Sequence, residues 1–595
     1  MKQNNFYVTH LENMSWNGSA WKGRLRVPLI PKKKKYECFW QNCLGLVFFF
    51  GLTVLLVFLI WRCRFGFAQK DECFYLTIPS RICQGDKLLI HEWHETQLSG
   101  LLLVPFMKAF LYIRGGTEGV VLAFRILFTM IWWLAAVFFF CRLRRFSESG
   151  AMIASVCFVL FAPLGIIALS FYSMALLLFL TACILIAFSQ GKLRLFIAGF
   201  LFAGAVICNP YLVFPWLAFC LAALIDRLFY QKIPKGYWLY TTLGIGVAFL
   251  LFCILMLTSA PIREYLKILP FIFDDPEHPL TPFWEKAIYI IYHARQVNRY
   301  WFALVLFSLA VTLQTKLCKT FSLGFILVCG TVTALLLSYR LGYHLINFSM
   351  FPLSLLGLYC VACSNDSEIR KLFFTIWFPG LLFSFCCGIS SSTAYRAFAS
   401  ASTVMTVASV LMAFRFLAVQ KDGGKKGSKP VLVMTLAFAL TVVVQISCEF
   451  VDRYNDVYDG DRITNQTIRA EDGPEKGIWM NPDIYEFYAV TQTDLKSIRE
   501  DPAIEKVLFL SRNTFLYLNA EKENASYSAW LSGVTDHTIS RLEQYYQLFP
   551  EKVPDAVFVD RDYIRFIPTF EEFGYQRSSE KTSEYAYILK KTTDQ

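Results

Sequence analysis

The chain has 595 residues, of which 56% are hydrophobic, 17% aromatic and 17% charged, with a formal net charge of +12. That balance excludes an ordinary soluble globular protein and is typical of a polytopic membrane protein. The charge is also divided: there are 17 Lys+Arg against 27 Asp+Glu from Glu449 to Gln595, and 40 against 18 before that point. The basic excess therefore reports loops lying beside anionic lipid and gives no support to a nucleic-acid partner.

A helix needs roughly 20 apolar residues to cross the hydrocarbon core. The first such stretch is Phe39–Trp61, preceded by Lys32–Lys35. It is too long and too deep in the chain for a cleavable signal, so residues 1–38 are expected on the cytoplasmic side ahead of a retained span. Twelve further spans are predicted: Gly119–Cys141, Gly150–Leu164, Ile167–Phe188, Leu195–Cys208, Tyr211–Phe229, Tyr237–Leu257, Tyr300–Leu313, Phe321–Ser338, Leu345–Ala362, Leu372–Gly388, Ala399–Ala418 and Val431–Cys448. Basic loops at Arg142–Arg145, Lys192–Arg194, Lys232–Lys235, Lys316–Lys319, Arg370–Lys371 and Lys421–Lys429 all fall on alternate loops, the same side as Lys32–Lys35. Thirteen crossings then put the C-terminal segment, residues 449–595, outside the cell membrane. In that segment the apolar runs Lys506–Ser511, Asp555–Asp560 and Tyr585–Leu589 alternate with helical patterns such as Thr538–Leu548. A small α/β domain is expected, and no Gly-rich phosphate loop follows any of its strands. The fold class is thus a polytopic α-helical membrane protein, with residues 39–448 forming the membrane domain and an extracytoplasmic α/β domain behind it.

Cysteines are mostly in apolar spans, where they act as small hydrophobes. Cys73 and Cys83 share the first outer loop and are a candidate disulfide, whereas Cys360 and Cys363 sit at a helix end without a second pair or a nearby His, which fits chance better than a metal site.

The chemistry concentrates in the first outer loop, residues 62–118. Phe74, Ile78 and Ile82 recur every four residues and predict a short helix from Asp71 to Cys83, ended by Gly85. Asp71 and Glu72 fall in its first turn, where capping and the helix dipole alone would favour carboxylates. The polar run Gly85–Gln97 follows, with His91, Glu92, Trp93, His94 and Gln97. It is not a zinc-protease motif, because Glu95 stands where the second His belongs.

This succession of first span, acidic pair, Phe-Tyr, Gly-Asp and polar run resembles the first outer loop of the glycosyltransferase C superfamily, to which protein O-mannosyltransferases and lipid A aminoarabinose transferases belong. The segment Tyr339-Arg340-Leu-Gly-Tyr343-His344, running to Pro352, also resembles that superfamily. The resemblance implies transfer of a sugar from a polyprenyl-phosphate donor to a glycan, lipid or protein acceptor outside the membrane. It makes Asp71 the general base, with Glu72 supporting it or holding a metal. His91, Glu92, Trp93, His94, Gln97, Arg340, Tyr343, His344 and Arg396 become substrate-binding candidates. Displacing a polyprenyl phosphate calls for a carboxylate to take the acceptor proton and cations to stabilise the leaving group, which Arg340 and His344 would supply. No cofactor is required by these residues. A divalent metal is admitted, although residues 163–174 lack the acidic residue that the aminoarabinose enzymes carry in the second outer loop.

The connection Pro261–Arg299, with Asp274, Asp275, Glu277, His278, His293, Arg295 and Arg299, is expected as a solvated loop or a lid. The sequons at Asn465 and Asn524 carry no information of their own. A transporter or lipid flippase is the alternative from another class. Such proteins use ionisable residues inside their spans and internal repeats; here charge inside the spans is nearly confined to Arg125 and the Asp226-Arg227 pair, and no repeat is evident. An inactive scaffold whose tail binds a wall polymer is a third reading.

Overall fold

The computed structural model describes residues 35–188, 191–230, 235–274, 281–297, 300–340, 348–457, less 424–428, then 461–531, 533–578, 582–583 and 585–592. The chain divides into two compact units, Met1–Leu55 and Leu56–Gln595. In the first, the described residues are the leading part of the helix Lys35–Arg62.

Eleven helices among the described residues are long and apolar enough to cross a membrane, from Cys43–Arg62 to Lys429–Asn455. The predicted spans at Leu195–Cys208 and Leu345–Ala362 coincide with the helices Lys192–Cys208 and Phe351–Cys363, of 17 and 13 residues, which fall short of that length. Small residues let backbones approach closely where helices cross. A methyl group on Gly199 would lie 1.9 Å from the Thr241 carbonyl oxygen, and one on Gly244 would lie 2.0 Å from that of Phe196, so Lys192–Cys208 and Lys235–Ser259 are locked together by their glycines.

The helix ending at Arg62 and the last span, ending at Asn455, finish beside each other. Buried Arg62 donates from Nε to the carbonyl of Arg453 at 3.0 Å and from Nη2 to that of Asp456 at 2.6 Å. Both spans therefore deliver their following segments to the same face, and the first loop and the C-terminal segment meet there. Gly66, at φ +82°, marks the crossing: a side chain there would meet Val457.

The C-terminal segment builds a short antiparallel pair, β1 (Ile468–Arg469) and β2 (Trp479–Met480), then a five-stranded sheet of β3 (Lys506–Leu510), β4 (Glu523–Asn524), β5 (Ala556–Asp560), β6 (Tyr575–Arg577) and β7 (Ala586–Lys591). Its order is β4-β3-β5-β7-β6; β3 runs parallel to β4 and β5, while β7 is antiparallel to β5 and β6. The strand signals at 506, 555 and 585 thus become its three central strands. Helices Pro482–Arg499 and Asp536–Leu548 pack alongside, started by Asn481, whose side chain accepts from Ile484 N at 2.8 Å, and by a Thr535/Thr538 capping box.

One face of the sheet is not covered by the segment's own residues alone. Its core holds Leu508, Leu510, Val557, Val559 and Leu589 together with Trp93 from the first loop and Ile268 and Ile272 from the helix Ile262–Phe273. The expected loop at 261–299 is accordingly two amphipathic helices, Ile262–Phe273 and Phe283–Val297, and the first of them docks on the sheet. Its apolar residues at intervals of three and four carry the helical period that the charges had obscured.

Candidate active site

The predicted helix forms from Asp71 to Cys83, and Gly85 ends it at φ +112°. Asp71 is its first residue, not its cap: Lys70 holds the cap position without a side-chain bond. Cys73 and Cys83 are both free. Ten residues apart on one helix, they are separated by about 15 Å, too far for a disulfide.

Adjacent carboxylates on a helix point about 100° apart, and this pair is divided accordingly. Glu72 is buried, and its two oxygens accept from Arg125 Nε at 2.5 Å and Nη2 at 2.6 Å. The lone arginine of the second span, a costly group in an apolar environment, is compensated in this way. Since both Glu72 oxygens are engaged, this side chain does not fit as a metal ligand. Among the described residues no three His, Cys, Asp or Glu side chains are grouped as a metal site. Beneath Glu72, a cavity of about 30 Å³ lined by Arg62, Glu72, Arg125, Glu449 and Arg453 has room for water, not for a sugar.

Asp71 faces the other way. It is partly exposed, and its charge acts on the phenols of Tyr75, one helical turn on, and of Tyr172 at the start of the span Phe171–Phe188. Burial, with Asp71's charge added, pushes the Tyr75 phenol well above its usual range. The Glu95 charge reaches the same Tyr172 and also Tyr211. Tyr172 in turn neighbours Ser391 in the loop Ser390–Ala394, which Asn209 holds through a 3.1 Å bond to Ser390 Oγ. Ala394 in that loop has φ +42° and ψ −102°, a conformation costly for a residue with a side chain and the kind of strain found where a loop is held for function.

Two residues on, the Arg396 side chain makes no hydrogen bond or ion pair among the described residues, and its Nε is buried. His293 stands beside it with Nδ1 buried and unpartnered. Burial, and then the Arg396 charge, lower the imidazole's pKa, so the pair offers one permanent cation and one neutral ring. Asp71 and Glu95 thus meet at Tyr172, which neighbours Ser391, and Thr393, bonded to Ser391, leads on to His293 and Arg396. The rim carries His94, whose ring lies 4.8 Å from that of Phe74, and Trp530 of the C-terminal domain, 5.3 Å from Phe74 and 6.4 Å from His94.

The other loop candidates are used differently. Arg81, fully buried, donates to Asp86 and Glu92 at 2.6 Å each, to the His91 carbonyl at 2.8 Å and to the Ser526 carbonyl at 2.9 Å; Lys552 adds a second cation 2.6 Å from Asp86. Burial alone would raise Asp86, but Arg81, His91 and Lys552 hold it well below the usual carboxylate range. Glu92 also accepts from Ala529 N at 3.1 Å. Trp93 is enclosed by Phe271, Tyr527 and Tyr545, with the Arg541 guanidinium 5.5 Å from its ring. Gln97 bonds only loop backbone, at Leu89, Glu92 and His94. His91, Glu92 and Trp93 therefore tie the loop to the C-terminal domain, Gln97 braces the loop internally, and of that run it is His94 that borders the Asp71 patch. The side chain of Arg340 and all of Tyr343 and His344 lie outside the described residues, as do Asp275, Glu277, His278 and Arg299. Residues 339 and 348, which flank that stretch, both pack on Tyr395: Tyr339 through a 2.5 Å hydroxyl contact and Phe348 by stacking at 5.3 Å.

Sequence reasoning missed Glu95, Tyr172 and the Glu72–Arg125 bond. The last had a signal, because an arginine alone in an apolar span implies a carboxylate partner from elsewhere.

No family model matches the chain, and no curated protein matches it. Among solved structures it is similar to the crystal structure of ArnT from Cupriavidus metallidurans bound to undecaprenyl phosphate, at 11% identity and a TM-score of 0.46, over 92% of this chain and 98% of that one.

Proposed function

We propose that the protein is an integral-membrane glycosyltransferase that moves a sugar from a polyprenyl-phosphate donor to an acceptor on the outer face of the membrane. The observation that carries this reading is the succession of polar neighbours from the partly exposed Asp71 through Tyr172, Ser391 and Thr393 to His293 and Arg396, whose Nε is buried without an acceptor among the described residues. Asp71 takes the proton from the acceptor hydroxyl as its oxygen bonds to the anomeric carbon; the bond from that carbon to the phosphate oxygen breaks, and the polyprenyl phosphate leaves with the electron pair. Arg396 is the group available to stabilise the leaving phosphate, with His293 as a hydrogen-bond partner, while the prenyl tail remains in lipid. Arg340 and His344 join them in this reading on the strength of the sequence resemblance. Glu72 is a positioning residue: clamped by Arg125, it fixes the first turn of the helix that presents Asp71.

The transporter reading is weakened by the same bond. The charge inside the second span is neutralised by Glu72 rather than left to relay an ion. The test is transfer from a lipid-linked sugar by the purified protein in liposomes, with Asp71→Asn as the control. Transfer by the wild-type chain that disappears in the variant supports the reading. Equal turnover in both, or movement of the lipid across the bilayer without transfer, overturns it.

A further inference from the structure

A second, larger crevice lies away from the membrane spans. It has a volume of about 360 Å³, within the range of small-molecule sites, and is lined by Gln69, Lys70, Asp483, Phe487, Arg512, Asn513, Asp560 and Asp562. Its place in the sheet is not arbitrary. From β3 the chain crosses to β4 on one side, then returns to β5 on the other side of β3. The two parallel connections therefore part between β3 and β5, leaving an opening at the carboxyl ends of those strands where ligands of open α/β sheets bind. Arg512 and Asn513 directly follow β3; Asp560 ends β5 and Asp562 follows it.

The chemistry of the lining indicates what enters. Ser511 donates to Asp560 at 2.8 Å and so joins the two strand ends. Tyr563 accepts from Arg512 Nε at 3.0 Å and steadies that side chain, while its terminal nitrogens have no acceptor among the described residues. The carboxylate of Asp483 and the side-chain amide of Asn513 likewise make no hydrogen bond among the described residues, the Asp562 carboxylate acts on Arg512 through its charge alone, and Phe487 adds an apolar surface. Three carboxylates against Lys70 and Arg512 disfavour a phosphate, and the loop after β3 contains no glycine to bring backbone N–H groups to one. Alternating donors and acceptors around an aromatic ring suit a group that both donates and accepts at each position and has an apolar face, namely a sugar.

We propose that this crevice binds an uncharged, hydroxyl-rich saccharide, the acceptor class of the transferase; the assignment of the saccharide as acceptor rests on the function proposed above. The crevice is joined to that site by covalent chain: Gln69 and Lys70 line it and lead straight into Asp71. The C-terminal domain holds this stretch, since Phe515 N donates to the Gln69 carbonyl at 3.3 Å and Thr514 Oγ1 to that of Lys70. A saccharide seated here is bordered by Lys70, the residue that directly precedes the proposed base.

The experiment is binding of the full-length protein in nanodiscs to an array of neutral oligosaccharides, anionic polysaccharides and peptides, compared with Arg512→Ala and Asp562→Ala. Both residues are exposed, and thermal unfolding verifies that each variant folds. Retention of one or more neutral oligosaccharides by the wild-type chain, reduced at least about tenfold in either folded variant, supports the proposal. No retained saccharide, equal retention by both variants, or a crevice-dependent preference for peptides or anionic polymers overturns it. The assay needs no turnover, so if Asp71→Asn shows the transferase reading to be wrong, the crevice is still judged on its own binding.

Discussion

The first loop contains two polar regions of similar composition and opposite use. In the stretch Arg81–Gln97, apart from the rim residue His94, buried charges are paired: Arg81 meets two carboxylates and two carbonyls, and Lys552 completes Asp86. Beyond Tyr172 and Ser391 on the Asp71 side, one buried nitrogen each of half-buried Arg396 and His293 has no partner among the described residues. A fully satisfied polar network fixes a structure, whereas polar atoms buried without a partner are costly unless a ligand completes them. On the proposed function, the difference separates residues that hold the loop from residues that meet substrate, although both sets have the same side-chain types.

Breaking the first region should have the largest effect. Arg81→Ala leaves Asp86 and Glu92 buried beside fewer cations, a change worth about 3–5 kcal/mol, and is expected to lower the thermal midpoint sharply and undock the loop from the sheet. Protection of the first loop and of β3 from hydrogen exchange should fall together; unchanged protection would mean that the knot is not what joins them.

In the second region, Asp71→Asn preserves shape and should leave the midpoint near wild type while lowering transfer by at least about 10², or roughly 2.7 kcal/mol of barrier. A collapse of stability with no separate catalytic loss would move Asp71 into the structural group.

The boundary between the two regions is pH-sensitive. Glu475 is fully buried, with Asn519 Nδ2 3.2 Å from both its oxygens, next to Cys73 of the Asp71 helix. Burial raises its pKa to about 8, which the Asn519 bond only partly offsets. The folded chain therefore holds this proton over a range where the unfolded chain has lost it. Stability falls as pH rises from about 4.5 to about 8, by roughly 1.4 kcal/mol per unit, and is flat beyond. Glu475→Gln should remove that slope in unfolding measurements across this range; a slope that survives would place the titration elsewhere.

The smallest expected effect sharpens the phosphate assignment. Arg396→Lys keeps the charge but loses the planar fork, so use of the lipid donor should weaken by about tenfold, around 1.4 kcal/mol, with acceptor saturation unchanged. Phosphate binding should also raise the lowered pKa of His293, readable as a pH shift in donor affinity. A defect confined to the acceptor would remove Arg396 from the donor site.

Periodicity and composition were enough to place the membrane helices, the helix Asp71–Cys83 with its glycine stop, and the three central strands, because each of these is decided by a local repeat of apolar residues. They also singled out Asp71, through its position at the start of a helix just beyond a span. What they could not decide is which polar residues of the loop would be spent on packing. His91, Glu92 and Trp93 read as ligands because partners such as Ala529, Tyr527 and Tyr545 come from the C-terminal domain, more than 400 residues away, while Gln97 is spent on the backbone of its own loop. The division of Asp71 from Glu72 likewise rests on Arg125 in another span, and the crevice between β3 and β5 on the order in which strands join the sheet. Local sequence sets element type through short-range sterics and burial, but the free or engaged state of a polar group depends on what the fold brings within about 3 Å of it, and here only the tertiary structure decided that.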